Sequence, residues 1–294
     1  MSITETQTLV TATNTRVRGA QPALIALGSI LIAIIVLTFL VPALGILPPP
    51  HEQDFRATLL PPAWLPGGTW EHVLGTDQLG RDMLSRIIAG GRLTFIIALA
   101  GLLAGAIPGV TLGLLAGYFR GTTDIVVSRL IEAQLALPYI LLALSIITGL
   151  GNSIPALVFV LALVGWAQYA RVLRAEVFSL RDRAFVRALR VAGVPTARII
   201  FRHILSNVMG TVIVLATVQV AMMILAESAL SFLGLGVVPP EISWGSLLAD
   251  GREFLTTAWW IAAFPGLALT IVAILVNLFG DELRVRLDPR KRRY

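Results

Sequence analysis

Residues 171–207 read RVLRAEVFSLRDRAFVRALRVAGVPTARIIFRHILSN, with eight arginines set between two long apolar runs. By charge and position this is a connection, yet its residues are not those of a loop. Ala184, Val186, Ala188, Leu189, Val191 and Ala192 recur at spacings that predict an apolar helical stripe. Gly193-Val194-Pro195 interrupts it. The glycine supplies a sharp turn, and the proline starts a second helical stretch, Thr196–Leu205, carrying Ile199, Ile200 and Ile204. Such a helix–glycine–helix unit is a rigid knob that a soluble partner can push. The competing reading is an elbow that only packs under its own bundle. The flanking runs, Ile154–Leu173 and Val208–Leu233, each approach the roughly 20 apolar residues that cross a bilayer. The expected fold class is therefore all-α and integral to a membrane.

Composition agrees. The chain has 294 residues, 56% hydrophobic and only 14% charged, where a soluble domain carries roughly 25% charged residues. It has no cysteine, which excludes disulfides and thiolate metal sites, and His51, His72 and His203 are too scattered to form a metal cluster. Every basic residue but Lys291 is arginine. A phosphate-binding loop needs a lysine directly after its glycines, and Lys291 stands instead in the terminal Pro-Arg-Lys-Arg-Arg. The chain is thus not expected to be an ATPase, or an enzyme of any kind.

Outward from the central stretch, further apolar runs lie at Leu24–Leu44, Leu93–Tyr118, Ile125–Leu150 and Ala258–Phe279, giving about six spanning helices. Leu24–Leu44 is too long for a signal-peptide core and no Ala-x-Ala-like site follows, so a retained anchor is expected. Gly45–Trp70 is rich in Pro, Gly and Trp and reads as an excursion outside the membrane. Asp77–Arg92 then predicts a short interfacial helix, with Met83, Leu84, Ile87 and Ile88 opposed to Arg81, Asp82, Ser85 and Arg86. The expected divisions are a tail at 1–23, a first span at 24–44, an outer segment at 45–92, a five-helix core at 93–280 containing the loop 174–207, and a basic tail at 281–294. Gly101, Gly105, Pro108, Gly109, Gly113 and Pro138 suit close backbone approach inside a bundle.

Arginine bias orients the chain. With the N-terminus placed in the cytoplasm, 18 of the 23 basic residues fall on inner segments, whereas the outer segments hold five basic residues and eight acids. Both termini are therefore expected in the cytoplasm. The net charge of +6 is a topology signal and not a nucleic-acid footprint.

The central stretch resembles the cytoplasmic loop of ABC importer permeases, whose pattern runs Glu-Ala-Ala, three residues, Gly, nine residues, Ile, any residue, Leu-Pro. Ala188, Gly193 and Leu205 match it, while Arg187, Leu189, His203 and Ser206 depart from it. Other segments are similar to the dipeptide, oligopeptide and nickel branch of that family. They are Leu74-Gly75-Thr76-Asp77-Gln78-Leu79-Gly80-Arg81-Asp82-Met83, Leu230-Ser231-Phe232-Leu233-Gly234 with Pro239-Pro240 and Trp244-Gly245, Phe264-Pro265-Gly266, and Gly280-Asp281-Glu282 with Leu287-Asp288-Pro289-Arg290. The long first outer segment resembles the second of the two permeases in such systems. The resemblance implies a type I importer permease fold. It also implies a homologous permease partner, two ATP-binding subunits or one fused two-domain ATPase, and an external substrate-binding protein. ATP and Mg would be bound by the ATPase, and the chain itself would bind no cofactor. The setting it implies is the bacterial cytoplasmic membrane, with the lipid bilayer as solvent.

On this resemblance, Arg187, Ala188, Gly193, Pro195, Ala197, Arg198, His203 and Leu205 would couple the chain to the ATPase. Ionisable groups within spans are functional candidates by default. Glu132 lies beside Arg129 at a spacing that makes a same-face pair. Glu227 would either face a wet path or cap the outer end beside Ser228 and Ser231; Gln219, Met222 and Met223 are further candidates for the path, with helix packing as the alternative. A secondary transporter would carry related halves and several midplane charges, which the sequence lacks. A membrane scaffold without transport is the second rival. Peptides are the expected cargo, with nickel or another small solute as the alternative.

Overall fold

The computed structural model describes the backbone of residues 3–287 and the side chains of residues 22–287. Residues 288–294, which hold half of the expected basic tail, lie outside the described residues. The fold is helical, and among the described residues the only β feature is an isolated bridge between Thr76 and Asp82. Among the described residues five helices are long and apolar enough to cross a membrane, or six if one bent pair is counted as a single span. Helix α1, Ile3–Leu44, is unbroken and contains the span at Pro22–Leu44.

Helix α2, Met83–Phe119, corrects the expected interfacial helix over Asp77–Arg92. Residues 77–82 form a turn in which the Asp77 carboxylate accepts the N–H groups of Leu79 (2.8 Å) and Arg81 (3.0 Å), with Gly80 at φ +72°. Asp82 then caps the helix, accepting the Ser85 N–H at 2.8 Å, a cap that stabilises a helix by about 1 kcal/mol. From Met83 the helix runs straight into the span. Its first turns are buried, Met83 completely and Arg86 almost so, leaving no amphipathic face for the interface.

Five glycines at every fourth position of α2 form a seam against α5, Ile154–Leu180. A Cβ on Gly105 would stand 2.8 Å from the Ala162 carbonyl oxygen, and one on Gly117 would stand 2.7 Å from that of Arg174. Only glycine permits this backbone approach, the small-residue contact by which membrane helices associate.

The expected third span is broken. Helices α3, Gly121–Ala136, and α4, Tyr139–Leu150, meet at an angle of 91°. Pro138 is the cause: it forces Leu137 out of helical geometry, at φ −88° and ψ 126°, and brings no N–H to the ladder. Val127 and Ile131 attach α3 to α2 and α5, while Ala143 and Ile147 attach α4 to the main core.

After α5 come α6, Ala184–Val191, and α7, Thr196–Arg198. The second helical stretch is not a separate short helix. It continues through a π-helical turn, Ile199–Ile204, into α8, Leu205–Phe232. The wider turn gathers Ile199, Ile200 and Ile204 onto one arc, and all three are buried. Helix α9, Trp244–Gly251, starts in a capping box between Ser243 and Ser246, and α10, Trp260–Leu287, carries the chain through the last span and into the expected tail.

Candidate functional site

At the arginine-rich end, α6 is terminated by Gly193 at φ +71°. The Val194 N–H donates to the Leu189 carbonyl and the Gly193 N–H to that of Arg190, both at 3.0 Å. This pair of bonds satisfies two of the carbonyls a helix end otherwise leaves open, and it needs a residue that tolerates positive φ. Open space surrounds the place where a Cβ would sit, so conformation and not crowding requires the glycine.

The stripe expected on α6 divides in two. Val186 is completely buried and Leu189 partly so, packed with Val194 on a cluster of Leu114, Tyr118, Leu173, Val177 and the three isoleucines. Ala184, Ala188, Val191 and Ala192 point the other way and are exposed, Val191 at 91%. Sorting these positions at the 3.6-residue period separates the two faces from sequence alone. One side of α6 therefore packs under its own bundle, as an elbow would, and the other is exposed. Arg187, Ala188, Gly193, Pro195, Ala197 and Arg198 come together on the exposed side; His203 and Leu205 are half-buried where the π turn enters α8. Phe185, half exposed, joins the outer face and was not anticipated.

The knob is fixed to the bundle through Tyr118. Its hydroxyl accepts the Arg190 Nε–H at 3.2 Å, and the Arg190 and Arg181 guanidinium groups lie 5.1 and 5.7 Å from the ring centroid. Arg120, over the Phe178 ring at 3.9 Å and paired with Asp182, holds the approach to α6.

The α8 candidates separate as well. Gln219, Met223 and Glu227 share a face turned into the chain's own bundle, whereas Met222 is exposed at 56%. Gln219 donates to the Gly165 carbonyl at 3.4 Å. Glu227 is completely buried and accepts from the Ser231 hydroxyl at 2.7 Å and the Ser228 hydroxyl at 3.2 Å. Ser231 in turn accepts the Val237 N–H at 3.1 Å, so the carboxylate organises the turn after α8. Of the two arrangements weighed for Glu227, the geometry is that of a cap.

At the opposite end an ion cluster joins the segment before α2, and its first turn, to α9. Arg86 donates to Asp77 at 2.7 Å and to Asp250 at 3.1 Å, and Arg81 meets Asp77 at 2.6 Å. Burial raises the Asp250 carboxyl above its ordinary value, an effect that Arg86 opposes. The indole N–H groups of Trp244 and Trp260 donate to the carbonyls of Ile87 (2.8 Å) and Thr76 (3.0 Å). Among the described residues no group of His, Asp or Glu side chains has the arrangement to hold a metal ion.

Residues 109–293 match the family model described as binding-protein-dependent transport system inner membrane component. The di/tripeptide transport system permease protein of Pseudomonas aeruginosa is 41% identical, covering 90% of this chain and 88% of that one. The dipeptide transport system permease protein of Escherichia coli is 40% identical over 82% and 80% of the two chains. The oligopeptide transport system permease protein of Haemophilus influenzae is 38% identical over 75% and 71%. Among solved structures, an inward-facing form of the MetNI methionine ABC transporter superposes with a TM-score of 0.58 at 16% identity, covering 70% of this chain and 97% of that one.

Proposed function

The chain belongs to the family of binding-protein-dependent transport system inner membrane components, and from that premise we propose that it forms half of the translocation path of an ATP-driven peptide importer. A homologous permease supplies the other half. ATP and Mg belong to two ATPase subunits, or one fused pair, beneath the bundle, and an external binding protein delivers the cargo. Both termini are cytoplasmic, in a bacterial cytoplasmic membrane. The cargo assignment rests on the peptide permeases named above, which align with this chain over most of their length.

The observation that carries the mechanism is the outward face of α6. It is apolar and cationic, and a helix with such a face on a rigid mount suits a groove on a soluble partner. Arg187, Ala188, Gly193, Pro195, Ala197 and Arg198 meet the ATPase, while His203 and Leu205 transmit its displacement to α8. ATP binding shifts the two permeases between orientations by favouring one of them. No side chain of this chain takes part in covalent chemistry.

Reconstitution tests the reading. The chain co-expressed with its neighbouring permease, ATPase and binding protein should take up di- or tripeptides in proteoliposomes only with ATP present. Uptake by this chain alone, driven by an ion gradient, would assign it to the secondary transporters.

A further inference from the structure

The broken segment α3–α4 lies against the rest of the chain by few residues: Val127 and Ile131 on α3, Ala143 and Ile147 on α4. On the side of α3 opposite Val127 and Ile131 stand Arg129 and Glu132, joined at 2.9 Å, their side chains 79% and 63% exposed. At 100° per residue, Thr122, Ile125, Ala133 and Ala136 share that side, and all four are exposed.

The position of this pair along the membrane follows from its neighbours. Asp124, at the start of α3, is paired with Arg174 near the arginine-rich end of α5. Ile131 packs beside Ala167 and Ala170, before the first arginine of α5 at Arg171. Glu132 stands about 12 Å of helix rise further from that end than Asp124. The pair thus sits within the spanning part of the bundle, about two turns before the break at Leu137-Pro138. Lipid is a poor cover for an ion pair at this depth, because hydrocarbon solvates neither charge; intramembrane charges face protein or water. The remaining sides of α3 differ. Leu130 lines an apolar groove with Pro108, Leu112, Phe159 and Trp166, whose surface suits acyl chains.

We propose that the Arg129–Glu132 face of α3 is turned to the water-filled translocation path and offers passing cargo one charge of each sign. The chemical class it fits is a zwitterion, with an ammonium near Glu132 and a carboxylate near Arg129. The small residues Ala133 and Ala136 beside the pair leave room for a chain whose own side groups vary. This inference rests on the permease reading above and adds to it the residues that meet cargo in the inner half of the path.

The chain has no cysteine of its own, so single cysteines report cleanly. In the assembled, reconstituted importer, Glu132→Cys should react with a charged, membrane-impermeant thiosulfonate at least tenfold faster than Leu130→Cys. Modification of Glu132→Cys should block uptake of a dipeptide while basal ATP hydrolysis persists. Glu132→Gln and Arg129→Gln should each raise the half-saturating dipeptide concentration severalfold without loss of assembled complex. A thiol at 132 that is quenched by lipid-borne nitroxide and inert to the aqueous reagent would overturn the proposal, and so would one inert to both, since that places the pair in a dry subunit contact. Either result in a complex that still takes up dipeptide leaves the permease reading standing; absence of ATP-dependent uptake in the unmodified complex refutes the reading itself.

Discussion

The two ends of the bundle are built on opposite plans. At the acidic end, Arg86, Asp77 and Asp250 are joined to one another, two indoles donate to backbone carbonyls, and Asp82 and Ser243 cap the helices they precede. These groups are partnered within the chain. At the basic end, one face of α6 is sealed against Ile199, Ile200 and Ile204, while the other leaves Val191, Ala188 and Arg187 in the open. One end is closed on itself and the other leaves an exposed helix face, the one proposed above to meet a partner. A surface meant to engage and release cannot satisfy its own groups, whereas an anchor that holds loops around a path has reason to.

This contrast predicts that damage at the first end is structural and damage at the second is functional. Arg86→Leu should have the largest effect: it removes the Arg86 contacts to Asp77 and Asp250 and leaves Arg81 as the remaining ion-pair partner of Asp77, where breaking a buried pair outright from one side costs about 3–5 kcal/mol. Thermal unfolding of the detergent-solubilised complex should shift strongly downward, or the chain should fail to accumulate. An unchanged melting temperature would break the comparison at its firm end.

Next comes Gly193→Val, which strains a positive-φ turn by about 1–3 kcal/mol. The spans should insert and the complex should assemble, yet ATP hydrolysis should stop responding to loaded binding protein. Gly193→Asn should retain most of that response, since asparagine tolerates the left-handed region. Equal behaviour of the two variants would mean that backbone conformation is not what Gly193 supplies.

Val191→Asp should be smaller still in stability, within about 0.5 kcal/mol for an exposed site, while lowering the fraction of ATPase that co-purifies. Last, Thr69→Cys should be labelled from outside in intact cells. That sharpens the comparison without perturbing either end, because labelling only after permeabilisation would exchange which end meets the ATPase.

The apolar runs were legible in the sequence because a bilayer leaves so few ways to hide a backbone: the runs at 93–118 and 154–173 lie within helices, and those at 208–233 and 258–279 overrun theirs by one and two residues. Their ends were less legible. Asp82 was read as the polar side of an interfacial helix, yet it caps the span, because a carboxylate in that position serves either purpose and only the Asp77 turn decides. Pro138 was visible, but a proline in a membrane helix is compatible with a gentle kink, and sequence offers no measure of a 91° bend. Gly193 was identified for its turn. The division of α6 into two apolar faces was also available from its periodicity and was missed by treating six residues as one stripe. Glu227 and Glu132 show the limit of reading charges in a span: one is completely buried among hydroxyls, the other exposed with its arginine. Residue type alone does not distinguish them, since the faces of a helix are assigned by its neighbours.

Helix α2 carries Arg86 in its first turn and Tyr118 in its last. At 1.5 Å per residue it is a beam about 55 Å long, packed against α5 by the glycine seam from Gly101 to Gly117. The two ends contrasted above are therefore fastened to the same beam. On the proposed coupling, a push on α6 would reach Tyr118 and, through it, the helix that carries Arg86 at its other end. Pro108, which leaves the Ala104 carbonyl without its usual donor, is the one position on α2 where that beam has give. On that proposal, news of events on one side need not pass from side chain to side chain; it would arrive as displacement of the helix.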